Sequence, residues 1–333
     1  MKFYYSFPVV LCIVWLVCVG AVKLTEREAK LLRNNCGRYV EGYHGIEESA
    51  QADSGDEFKV LYGKEADEHQ APWSVSIIRD KGGYYEFHAS GTLVSPYHII
   101  TAAHVVGLTE NPHPDCETGE LKNAKFKHNS EDLAIYLNTT CADESLCGNN
   151  DELAMKKIKS IYVRKGYVGD GCRDKESFQD VAVIELAEPV RFSRDIYPAC
   201  IVKADTKPQG TMRLYGYGRD PAAKGQLMGI LKYQDSKVTE CAKNFNSSGI
   251  FCASPENQGL SCDGDSGAGY VQKPHGRNAI ELVGLLSGGV RCDTLLTMHE
   301  SEKRRNVPRS QEYDLVVDVS LHTEFFCSCC GLC

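Results

Sequence analysis

The chain has 333 residues, a formal net charge of -8 and 42% hydrophobic residues. That much apolar material builds a sizeable core, enough for one catalytic unit of two subdomains, and excludes a disordered tail. The acidity argues against a nucleic-acid partner, so the local Lys303-Arg304-Arg305 cluster reads as a solvated loop.

At the start of the chain, Lys2 precedes an apolar run from Phe7 to Val19, which ends in the small residues Gly20 and Ala21. This is the layout of a secretory signal peptide, with cleavage expected after Ala21 and a leader at 1–21. The competing reading is a membrane anchor, because the apolar stretch from Phe3 approaches spanning length. The small residues that end the run favour the signal, and neither membrane association nor a nucleic-acid partner is expected.

Of sixteen cysteines, Cys12 and Cys18 leave with this leader, and the remaining even number suits disulfides in an oxidising compartment. The triplets beginning at Asn138 and Asn246 are glycosylation sequons, consistent with a secreted, extracellular glycoprotein.

Next comes a segment that reads as separate from the core, at 22–59. Thr25 and Glu28 have capping-box spacing, which predicts a short helix ending before Asn34. From Glu47 to Glu57 the chain is polar and acidic, as in a linker, and it ends where Lys59 meets the apolar pair Val60-Leu61.

Beyond Val60 the texture changes. Short runs at Trp73–Ile78, Gly91–Val94, His98–Thr101, Ser160–Val163, Val181–Leu186, Met212–Tyr215 and Glu281–Leu286 are mostly β-branched, aromatic or otherwise apolar. Turn residues separate them, helical periodicity is scarce, and the expected class is all-β.

Two motifs carry chemistry. Thr101-Ala102-Ala103-His104 places a histidine after a small-residue stretch, and Ser261-Cys262-Asp263-Gly264-Asp265-Ser266-Gly267 places a serine in a glycine-rich turn. A nucleophilic serine and a histidine are two parts of an acyl-transfer machine, and Asp180, ahead of the apolar run Val181–Leu186, supplies a third. Each is ordinary alone: a histidine at a strand end, a turn, a strand-edge aspartate.

Together, in the order His, Asp, Ser, they resemble the trypsin-like (chymotrypsin-fold) serine proteases, from Val60 to about Val319. The leader, the C-terminal cysteines and a missing disulfide also resemble divergent nematode members. The resemblance implies two packed antiparallel six-stranded Greek-key β-barrels, about 60–197 and 198–326, with a short C-terminal helix inside a protease domain at 60–333. It implies His104, Asp180 and Ser266 as the triad and the N–H groups of Gly264 and Ser266 as the oxyanion hole.

It further implies a zymogen cut between Lys59 and Val60, whose new ammonium pairs with Asp265, since either charge buried alone is costly. Cys262–Cys292, Cys241–Cys252 and Cys36–Cys200 match family disulfides, the last tying pro-segment to catalytic domain. Implied partners are protein or peptide substrates, an activating protease and a protease inhibitor, with no cofactor and no metal.

Departures from the family pattern leave points open. Ala89 and Val105 stand where members carry a disulfide beside the histidine. Cys116, Cys141, Cys147 and Cys172 read as staples of an enlarged loop with unassigned pairing. Cys327, Cys329, Cys330 and Cys333 lack the separated pairs of a zinc site and read as disulfides, again unassigned.

The substrate pocket is expected around Leu260, Ser287, Gly289 and Asp314. Leu260 at its base favours an apolar side chain, whereas Asp314 on the opposite wall favours a basic one. Altered Ala268, Gly288 and Leu260 also admit a protease-fold binding protein with little turnover. A lipase-like hydrolase is disfavoured, because the Gly-x-Ser-x-Gly elbow is absent and the residue order differs.

Overall fold

A computed structural model of the chain describes residues 18, 20–38, 63–82, 84–107, 113–115, 120–122, 130–137, 140–142, 154–164, 167, 179–219, 228–241, 249–256, 261–274, 277–289, 292, 294, 297 and 313–333. It opens with helix α1 (Glu26–Asn35). The Thr25 hydroxyl accepts from the Glu28 N–H while the Glu28 side chain accepts from the Thr25 N–H, completing the expected capping box. The helix runs past Asn34, where it was expected to end. Asn35 Nδ2 donates to the Leu31 carbonyl and the Cys36 N–H to the Leu32 carbonyl, which satisfies the last turn.

Strands follow in chain order: β1 (Lys64–Glu65), β2 (Ser74–Asp80), β3 (Tyr85–Leu93) and β4 (His98–Thr101), then the one-turn helix α2 (Ala103–Val106). The loop beyond carries a small hairpin, β5 (His113–Asp115) and β6 (Glu120–Lys122). β7 (Leu133–Leu137), β8 (Ala154–Val163) and β9 (Ala182–Leu186) close a six-stranded antiparallel barrel in the order β2-β3-β4-β9-β8-β7.

The second half supplies β10 (Cys200–Ile201), β11 (Thr211–Gly216), β12 (Lys232–Thr239), β13 (Ile250–Pro255), β14 (Gly269–Gln272), β15 (Glu281–Gly288) and β16 (Asp314–Asp318). Its strands run β12-β11-β14-β15-β16-β13, and the β12–β13 pairing closes the second barrel. β1 joins that barrel through β12, although it precedes the first barrel in the chain. A 3-10 turn (Val319–His322) and helix α3 (Thr323–Cys330) end the domain, as expected for the C-terminal helix.

Strand alternation explains how the barrels meet. In β9, Ala182, Ile184 and Leu186 fill the first barrel with Val75, Ile77, Ile99 and Ile135. Val183, from the opposite face, joins the larger cluster of Trp73, Leu214, Tyr270, Leu285 and Phe326. All five residues of β9 are buried because both its faces are covered, which accounts for the unbroken apolar reading of Val181–Ile184. Ala89 and Val105, in place of a disulfide, are simply packed into the first core.

Among the described residues, no helix is long and apolar enough to cross a membrane.

Candidate active site

Asp180 lies two residues before β9 at the junction of the barrels and is 1% exposed. Its Oδ1 accepts from the His104 N–H at 2.8 Å, and its Oδ2 lies 2.7 Å from His104 Nδ1. A third donor, the Ser287 hydroxyl at the end of β15, reaches Oδ2 at 2.6 Å. Burial alone pushes this carboxyl upward; the neighbouring His104 charge and these hydrogen bonds outweigh it and hold Asp180 below the usual carboxylate range. An ionised Asp180 fixes the proton on Nδ1, which leaves Nε2 as the basic nitrogen of a partly exposed ring.

The serine turn is pressed against the same junction. Gly267 has φ +78°, and a Cβ there would fall 1.9 Å from Thr101 Oγ1 and 2.9 Å from the Ala102 nitrogen. The turn therefore touches the backbone that leads into His104, and only glycine allows so close an approach.

Ser90 in β3 serves as the clamp. Its N–H donates to the Ser266 carbonyl at 3.1 Å, and its hydroxyl donates to the Gly264 carbonyl at 3.1 Å. Sequence reasoning missed Ser90, since a lone strand serine carries no signal.

The N–H groups of Cys262, Asp263, Asp265, Gly267 and Ala268 all have protein acceptors. Those of Gly264 and Ser266 are the pair that the family resemblance implies for an oxyanion.

The Trypsin family model matches residues 60–298. The chain belongs to the trypsin family. It is 26% identical over 303 residues to Phenoloxidase-activating factor 1 of Holotrichia diomphalia, covering 84% of this chain and 74% of that protein. CLIP domain-containing serine protease B9 of Anopheles gambiae is 26% identical over 251 residues, covering 70% of this chain and 57% of that protein.

In this trypsin-family chain, Asp265 is held by backbone donors. Its Oδ1 accepts from the Gly218 N–H at 2.7 Å and its Oδ2 from the Cys262 N–H at 2.9 Å. The carboxylate packs on bare backbone: a Cβ at Gly216 would stand 2.0 Å from Oδ1, and one at Gly218 about as close. Desolvation is the main cause of an Asp265 pKa raised to about 6, with Asp314 adding to it and the two N–H donors opposing it. Lys59 and Val60, the expected cut, lie outside the described residues, as do Leu260, Asn138 and Asn246.

The other pocket residues separate into two roles. Asp314 heads β16 and is 1% exposed. Its Oδ1 accepts from Ser261 Oγ at 2.5 Å, and its Oδ2 accepts from Tyr270 OH at 2.5 Å and Gln234 Nε2 at 3.0 Å. Burial raises its pKa to about 6 against those donors. Gly289 is exposed beside it, and a Cβ there would sit 3.0 Å from Asp314 Oδ1. Ser287, by contrast, spends its hydroxyl on Asp180. Gly288 has open space where a side chain would project.

The structure pairs Cys36–Cys200, Cys241–Cys252 and Cys262–Cys292, with Cα separations of 5.0, 5.3 and 5.4 Å. It also pairs Cys327–Cys333 and, in the uncut chain, joins Cys18 of the expected leader to Cys329; contrary to the disulfide expectation for all four C-terminal cysteines, Cys330 is a buried free thiol. Cys141 is disulfide-bonded. Cys116, Cys147 and Cys172 fall outside the described residues.

Proposed function

We propose that the chain is a secreted, extracellular serine endopeptidase made as a zymogen, with a leader at 1–21, a pro-segment at 22–59 and a protease domain at 60–333. Ser266 Oγ attacks the scissile carbonyl while His104 Nε2 takes its proton. The N–H groups of Gly264 and Ser266 hold the resulting oxyanion, and His104 returns the proton to the leaving amine as the acyl-enzyme forms. Water then attacks the acyl group, with His104 as base again, and releases the acid. Asp180, held by three donors, stabilises the imidazolium in both halves. That bracing is the observation that carries the reading.

Cutting at Lys59–Val60 supplies an ammonium for Asp265, whose carboxylate in the uncut chain accepts from the backbone N–H groups of Gly218 and Cys262. The pairing rearranges the turn that bears the oxyanion donors. The partners are protein substrates, an activating protease and an inhibitor that fills the same cleft. The relatives named as an activating factor and a serine protease are consistent with a place in proteolytic activation. Asp314 Oδ1, facing exposed Gly289, selects a basic side chain at the cleaved bond.

The test is covalent labelling. Protein cut after Lys59 is treated with a fluorophosphonate probe, with Ser266→Ala as control. Labelling at Ser266 only in the cut form is expected; no labelling of correctly cut protein favours a protease-fold binding protein instead.

A further inference from the structure

Glu185 is a carboxylate that the triad does not use. It sits on β9, five residues beyond Asp180, and is fully buried. It shares the face of Val181 and Val183, directed away from the first barrel's core. Lys159 Nζ reaches its Oε1 at 2.6 Å and Tyr162 OH its Oε2 at 2.9 Å. A third donor comes from far away in the chain: the backbone nitrogen of Val22 lies 3.3 Å from Oε2. Val22 is also the residue that the expected leader cut would make the N-terminus.

We infer that Glu185 is a receptor for the α-ammonium of Val22, formed when the leader is removed. The inference rests on the leader boundary proposed above. Hydrolysis of the Ala21–Val22 amide by signal peptidase consumes one water and leaves a carboxylate on Ala21 and an amine on Val22, which is protonated near neutral pH. One amide donor thereby becomes three ammonium donors at a site that already holds a buried negative charge. A charge-assisted hydrogen bond is roughly twice as strong as a neutral one.

The surroundings hold Val22 in register. The Leu24 N–H donates to the Cys330 carbonyl at 2.9 Å, and Leu24 is buried. Gly331, at φ +70°, lets the end of α3 press on this strap, for a Cβ there would be 2.5 Å from the Leu24 carbonyl oxygen. At the far end of helix α1, the Gly37 N–H donates to the Pro198 carbonyl, the Gly37 carbonyl accepts from the Ile280 N–H, and Cys36 is bonded to Cys200. The stretch from Val22 to Gly37 is thus fastened at both ends, its first residue to the strand that follows Asp180.

The titratable groups around Glu185 are compatible with a cation. His98 is kept neutral, its pKa lowered to about 4 chiefly by burial, against the pull of Glu185 and the Val22 backbone. Burial likewise pushes the Cys330 thiol well up, and the neighbouring Glu185 adds to the shift while Lys23 opposes it. Lys159 is partly exposed and shares its charge with solvent. In the uncut chain Cys18 is bonded to Cys329; a cut made before folding leaves Cys329 as a thiol beside Cys330 instead.

The experiment uses the full chain secreted from a eukaryotic host. N-terminal sequencing is expected to begin at Val22. Acetylation by N-hydroxysuccinimidyl acetate at neutral pH is then followed at the α-amine, with exposed Lys23 as internal standard. The paired amine is expected to react about tenfold more slowly than in Glu185→Gln, as a one-unit rise in its pKa dictates. Unfolding the wild-type chain in urea should restore the rate, a comparison that does not require the variant to fold.

A chain that starts at or before Cys18 overturns both the leader boundary and the docking site. A Val22 N-terminus that acetylates at the same rate in both comparisons overturns the docking site alone. Neither readout depends on Ser266, so failure of the protease assignment is seen separately.

Discussion

Ser287 donates its hydroxyl to Asp180 Oδ2 across 2.6 Å, joining the last residues of β15 in the second barrel to the aspartate two residues before β9 in the first. The contact ties the two barrels together at the one carboxylate on which His104 depends. Ser287→Ala leaves a buried acceptor short of a donor, which costs about 1–3 kcal/mol. Asp180 then holds His104 less firmly, and kcat is expected to fall about 10- to 100-fold with KM little changed. Steady-state assay of the cut protein on a peptide amide checks this; a KM effect with unchanged kcat would place Ser287 in the substrate pocket, as the sequence first indicated.

Asp265 makes the uncut chain pH-sensitive. Its pKa of about 6 exceeds the ordinary value of 3.8, so the folded state prefers the protonated form. Stability from this group is present in full below about pH 4 and is lost as the pH rises through 6, by roughly 3 kcal/mol. In the uncut Ser266→Ala background, Asp265→Asn should therefore gain on the parent between pH 4 and 7, read from denaturation midpoints. Once the Lys59–Val60 bond is cut, the ammonium reverses the preference. Asp265→Asn should then lose stability in that background and, with Ser266 intact, lose probe labelling.

The proposed triad could be named from the sequence because each member lies in a short local pattern: His104 after two alanines, Asp180 before an apolar strand, Ser266 in the Gly-Asp-Ser-Gly turn. Ser90 and the true partner of Ser287 were not, because sheet register across the barrels decides them and no spacing encodes it. β12 escaped notice for a different reason. Its sequence, Lys-Tyr-Gln-Asp-Ser-Lys-Val-Thr, is mostly polar, and it is stabilised by pairing with β11 and β13 and by the buried Arg213–Asp235 ion pair. The capping box of α1 needed only neighbours in the chain, and it was read correctly. Cys327–Cys333 was beyond reach because spacing does not fix a pairing, and in the uncut chain Cys329 takes its partner, Cys18, from outside the C-terminal group while Cys330 stays a thiol.

Asp314 should set the primary specificity. With a basic side chain beside Oδ1, replacing the carboxylate by an amide is expected to lower kcat/KM for arginine substrates about a hundredfold, the scale for breaking a buried charge pair. Phenylalanine substrates should be affected far less by Asp314→Asn. A pH series adds a second readout. Because the Asp314 pKa is about 6, the preference for arginine over phenylalanine should rise with pH through that value and level off above it. A preference that is flat with pH and insensitive to the variant would return the decision to Leu260.

Two neighbouring glycine-rich stretches should respond in opposite ways to alanine. At Gly267 the backbone sits at φ +78°, and a Cβ would meet Thr101 Oγ1 at 1.9 Å and the Ser90 carbonyl oxygen at 2.7 Å. Neither atom can yield freely, because the Thr101 hydroxyl donates to that same Ser90 carbonyl at 2.9 Å while Ser90 holds both carbonyls of the serine turn. Strain and overpacking each cost about 1–3 kcal/mol. If the chain still folds, the turn is displaced from the approach to His104. Gly267→Ala should thus lower the melting temperature and abolish labelling of Ser266 together. At Gly288 nothing lies within 4 Å of an added Cβ, and φ is not in the left-handed region. Gly288→Ala should leave stability within about 0.5 kcal/mol of the parent. If the two variants melt alike, the serine turn is not wedged against Thr101 as the structure has it.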